Sequence, residues 1–97
     1  MTDEPTQTFA NIWDAIAATP QEAATMRRRA DMAIAIGAVV EGWGLSQSQA
    51  ARRLGVTQPR LNDLLRGRLD RFSMDTLIAI AERAGLAVEV RIGLKAA

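Results

Sequence analysis

Neither cysteine nor histidine occurs in this 97-residue chain, and the two absences exclude much chemistry. Without cysteine there is no disulfide framework and no thiolate metal site, which suits a reducing compartment, and the cytoplasm is the expected location. Without histidine the commonest general base and the commonest nitrogen metal ligand are both missing. Carboxylates remain, but Asp63 and Asp70 stand beside arginines near expected helix ends, where a solvated or dipole-related role fits better than an acid–base pair. The chain is therefore expected not to be an enzyme and to need no metal, nucleotide or organic cofactor. Long apolar runs are lacking too: Arg27, Arg28, Arg29, Glu41, Arg52 and Arg53 interrupt every stretch that approaches the roughly 18–20 residues of a membrane span. Residues 1–8 carry Asp3 and Glu4 in place of a basic region and an apolar run, unlike a secretory signal. A soluble protein with no membrane partner is expected.

What is present is enough for one small domain. With 48% hydrophobic residues the chain can build a modest core, yet a domain of this size is only marginally stabilised by burial, and dimerisation would help it. The net charge of +1 hides an uneven distribution. Residues 1–45 hold three arginines against six acids, and residues 73–97 hold three charges of each sign. Residues 46–72, by contrast, carry six arginines (52, 53, 60, 66, 68 and 71) against Asp63 and Asp70 alone. Such a block suits a polyphosphate partner.

Capping chemistry marks four helices, because each cap names an acceptor for an orphan amide. Thr19, Pro20 and Glu22 open a long helix whose Met26, Ala30, Ala33, Ile36, Gly37, Val39, Val40 and Trp43 make an inward face up to Gly44. Ser46 and Gln49 form a second capping box, opening a short helix that buries Ala50, Ala51 and Leu54 and stops at Gly55. Thr57 caps the third, with Pro59 tolerated in the first turn, inner residues Leu61, Leu64 and Leu65, and a stop at Gly67. A polar stretch through Phe72 follows, and Ser73 caps a fourth helix that turns Leu77, Ile80, Ala81 and Ala84 inward until Gly85. Phe9, Ile12, Trp13 and Ile16 sit at helical spacing and predict a further N-terminal helix. Val88, Val90 and Ile92 alternate with Glu89 and Arg91, which predicts a half-exposed strand over residues 87–92.

Two short helices joined by Gly55 and Val56 have the spacing of a helix-turn-helix, in which the second helix is presented to the DNA major groove. Ala50 and Ala51 allow close approach, Gly55 permits a left-handed turn, and Val56 with Leu61 fills the corner. The stretch LSQSQAARRLGVTQPRLNDLLRGR, residues 45–68, strongly resembles the Xre family of Cro-like and phage-repressor-like regulators, and the resemblance extends more loosely over residues 24–85. It implies a double-stranded DNA-binding transcriptional repressor in which Gln47 holds a phosphate and Gln58 reads a base. Glutamine suits that place, since it pairs bidentately with adenine N6 and N7. Pro59 stands where the family often has a polar base reader and leaves at most apolar contact with a thymine methyl. Thr57, Arg60, Asn62 and Asp63 complete the reading face: Arg60 to reach guanine or a phosphate, Asp63 to accept from cytosine N4 or to restrain Arg60 and Arg66. Arg52, Arg53, Arg66, Arg68 and Arg71 are candidates for phosphate contacts, which position a protein without specifying sequence.

An isolated strand leaves backbone donors and acceptors unpaired, and the simplest supplier of a second strand is another copy of the chain. Val88, Val90 and Ile92 are accordingly expected to hold a homodimer, the arrangement by which helix-turn-helix proteins reach two half-sites. The closing segment GLAVEVRIG is similar to the HigA-like antitoxin branch of the Xre proteins, which implies a small toxin protein as an additional partner. The fold expected is all-α, a helix-turn-helix domain of about five helices with one C-terminal strand. Residues 1–18 form an extension with a short amphipathic helix, 19–86 the DNA-binding domain, and 87–97 a dimerisation strand and tail. The alternative from another class is a protein-interaction module of the same fold that does not bind DNA and uses Phe9, Trp13 and the strand edge.

Overall fold

A computed structural model describes residues 19–95. Four α-helices and one short 3-10 turn follow in order: α1 (Pro20–Trp43), α2 (Gln47–Leu54), α3 (Gln58–Leu65), the turn Leu69–Arg71, and α4 (Met74–Arg83). Each helix begins where its cap predicts. The Thr19, Ser46, Thr57 and Ser73 hydroxyls accept from the amides of Glu22, Gln49, Arg60 and Thr76 at 3.1, 3.2, 3.3 and 3.1 Å. Ser46 and Gln49 satisfy each other reciprocally, since the Ser46 amide donates to the Gln49 side-chain oxygen at 3.1 Å.

The helices enclose one apolar cluster. α1 supplies Ala30, Ala33 and Ile36, α2 supplies Ala50, Ala51 and Leu54, α3 supplies Leu61 and Leu64, and α4 supplies Leu77, Ile80 and Ala81. α1 lies against α3, α4 and the 3-10 turn, while α2 packs on α3 and α4. Alanines on α1 and α2 keep the helix axes close enough for leucines from α2, α3, the 3-10 turn and α4 to meet. Val56 is half-buried beside this cluster and Leu61 is buried within it, as the corner requires. Met32 and Trp43 pack on its rim. Among the described residues no helix is long and apolar enough to cross a membrane.

Three expectations need correction. The stretch between α3 and α4 is not simply polar: Leu69 and Phe72 are fully buried and the 3-10 turn folds both into the core. Leu65 does not face inward; it is 41% exposed, at the last turn of α3. Residues 87–92 form no strand within this chain, and no strand occurs among the described residues. A strand exists only through ladder bonds to a neighbour, and here the backbone of residues 87–95 bonds to no other described segment. The expected helix around Phe9, Ile12, Trp13 and Ile16 lies outside the described residues.

Candidate nucleic-acid interface

The turn between α2 and α3 sets the geometry of the site. Gly55 ends α2 with φ +72°, the left-handed region where an L side chain meets its own carbonyl. From there the Gly55 amide donates to Arg52 at 3.1 Å and the Val56 amide to Ala51 at 3.0 Å, closing the helix. The Arg83 guanidinium, arriving from α4, donates to the Leu54 carbonyl at 3.2 Å. A Cβ on Gly55 would stand 3.1 Å from Arg83 Nη1. The turn is thus held both by its own backbone and by a side chain 29 residues away.

This turn places Gln47, the first residue of α2, beside Gln58, the first residue of α3: Gln58 Nε2 donates to Gln47 Oε1 across 3.4 Å. The consequence follows from the donor inventory of an amide. Gln58 keeps one N–H and its carbonyl oxygen, the pair that adenine N7 and N6 require. Gln47 keeps both N–H groups, which suit a phosphate oxygen. Thr57, Gln58 and Pro59 are exposed at the start of α3, Asn62 and Asp63 are half-buried one turn on, and Arg66 is exposed at its end. Since residues four apart share a helix face, Gln58, Asn62 and Arg66 form one outward row, with Pro59 and Asp63 alongside.

The arginines divide into two groups. Arg60 is turned away from this outward row: its guanidinium lies over the Phe72 ring at 4.3 Å and donates to the Arg71 carbonyl at 3.2 Å. It ties α3 to the 3-10 turn. Arg53 lies over the Trp43 ring at 4.1 Å, at the end of α1. Arg68 pairs with Asp63 at 3.6 Å, so Asp63 restrains Arg68, where Arg60 and Arg66 were expected. The Arg68 side chain stays 60% exposed, and a pair that open to water holds it only weakly. Arg52, Arg66 and Arg71 are exposed with no side-chain partner among the described residues. Sequence reasoning missed the structural parts of Arg60 and Arg83; alternation along one helix carries no sign of a contact made to another.

A family model for a helix-turn-helix domain matches residues 15–93. The chain belongs to this helix-turn-helix domain family. No curated protein matches it.

Proposed function

We propose that this chain is a sequence-specific double-stranded DNA-binding transcriptional regulator, with α3 entering the major groove and α2 lying across the backbone. The observation that carries this is the Gln47–Gln58 contact at the exposed start of α3. It pre-orients one amide for a base edge and the other for a phosphate. Around it, Arg52, Arg66, Arg68 and Arg71 supply the positive charge that phosphates need. Arg60 serves by positioning α3, and Arg53 by bracing the end of α1. The resemblance of residues 45–68 to Xre proteins makes the regulator a repressor that works as a two-fold pair. That of the closing segment to the HigA-like branch adds a small toxin protein, recognised outside residues 46–68.

Salt separates this function from that of a protein-docking module. Affinity for any duplex should fall steeply as salt rises, by close to one logarithmic unit per tenfold salt for each phosphate contact. Arg66→Ala should weaken all duplexes about equally and make that slope shallower by about one unit per binding site. Fluorescence anisotropy on a fluorescent duplex at several salt concentrations reads both. An affinity indifferent to salt would mean that the basic face is merely solvated. A loss on Arg66→Ala confined to one duplex sequence would make Arg66 a base reader.

A further inference from the structure

The chain leaves its last apolar residues uncovered in a pattern that defines their cover. The tail is anchored where it leaves α4: the Leu86 amide donates to the Ala81 carbonyl at 3.0 Å, and Leu86 and Val88 pack on the core. Beyond them the same alternation continues off the edge of the domain, with Val90 72%, Ile92 94% and Leu94 102% exposed. Glu89 and Arg91 face one another along the chain at 3.6 Å. They therefore share the opposite side of an extended backbone. Two residues of the apolar row are partly covered and three are bare.

We propose that a second copy of this chain pairs with residues 86–94 as an antiparallel ribbon whose two-fold axis passes through Val90. In this register two of the three bare residues stand beside core-anchored ones, Leu94 opposite Leu86 of the other copy and Ile92 opposite Val88, while Val90 meets its own copy on the axis. On the other side Glu89 meets Arg91 of the other copy twice, once on each side of the axis. Sliding by two residues to centre on Glu89 sets two like charges directly opposite, and centring on Arg91 does the same. Centring on Ile92 pairs Glu89 with Lys95 but sets the bare residues against one another, Val90 opposite Leu94 and Ile92 opposite itself, so that none meets a core-anchored residue. Opposite charge and reciprocal cover thus select one register and one occupant. The ribbon rests on the proposed regulator for its purpose, since it would set two α3 helices at the separation of two half-sites, but it forms without DNA.

Because the chain has no cysteine, single substitutions report the register directly. Directly opposed residues lie about 4.5–5.5 Å apart between Cα atoms, within disulfide range, whereas residues four positions out of register do not. Under mild oxidation Val90→Cys should cross-link to a covalent dimer. Val88→Cys and Ile92→Cys should each stay monomeric on a non-reducing gel but cross-link when the two are mixed. In sedimentation, Glu89→Arg or Arg91→Glu alone should weaken dimerisation about tenfold, and the two together should restore it. A monomeric full chain, a Val90→Cys chain that stays uncrosslinked, or equal cross-linking at all three positions overturns the ribbon. If salt-sensitive duplex binding persists without cross-linking, the ribbon alone fails; if cross-linking occurs with salt-indifferent binding, the DNA-binding function alone fails.

Discussion

Phe72→Ala should cost about 3–5 kcal/mol of stability, the range for removing a buried aromatic side chain. Phe72 is 2% exposed and belongs to the same buried cluster as Ile36, Leu61, Leu64 and Leu77. Its ring also carries the Arg60 guanidinium, so the loss should reach α3 as well as the core. The cation on the ring is the minor part: Arg60→Ala should cost only about 1 kcal/mol, because the guanidinium is partly in water. A domain of this size has on the order of 5–10 kcal/mol in total. Phe72→Ala should therefore shift the urea midpoint far below that of the parent chain, and Arg60→Ala should shift it little. Equal shifts would mean that the ring acts chiefly as a platform for the arginine.

Gly55→Val should be the most damaging change at the turn. A β-branched residue at φ +72° costs at least the 1–2 kcal/mol of an ordinary L residue in the left-handed region. The added Cβ also presses on Arg83 Nη1 at 3.1 Å, which threatens its bond to the Leu54 carbonyl. Together these give roughly 2–3 kcal/mol. The spatial relation of α2 to α3 should change with it, so duplex affinity should fall even at temperatures where the variant is fully folded. Circular dichroism and anisotropy on the same sample separate the two losses. An unaltered duplex affinity in the folded variant would show that the turn geometry does not position the site.

How far the sequence disclosed this depends on the distance over which each feature is encoded. The caps at Thr19, Ser46, Thr57 and Ser73 are legible because a hydroxyl and an amide three residues apart settle the matter locally. The inward rows of α2 and α4 are legible because burial repeats with the helix period. Leu69 and Phe72 were hidden because a three-residue turn is too short to show any period, so arginine and aspartate between them read as solvent-exposed loop. Leu65 matched the period of α3 but falls where that helix passes the edge of α1, and no local pattern marks an edge. Residues 87–92 show the period of a strand, and the period is real: Glu89 and Arg91 share one side. What alternation does not contain is the neighbour that turns an extended segment into a strand.

In the candidate site the same division holds. The resemblance of residues 45–68 points to Gln47 and Gln58, and the turn brings the two side chains into contact. The place of Arg60 in the first turn of α3 suggests a side chain that reaches DNA. Its side chain instead lies over a ring twelve residues later in the chain. Charge counts find the basic segment, but only tertiary contacts show which arginines are already committed.

If Gln58 reads a base, as proposed, its loss should show most directly in discrimination, not in affinity. Duplexes selected by the purified chain from a random-sequence library provide the preferred site, and a scrambled duplex provides the reference. The parent chain should favour the selected site, and Gln58→Ala should reduce that preference by about 1–3 kcal/mol, the cost of one lost bidentate base contact, with the scrambled duplex bound nearly as before. If Gln58→Ala weakens both duplexes equally, or if the parent chain selects no sequence at all, the start of α3 does not read DNA and the account is contradicted.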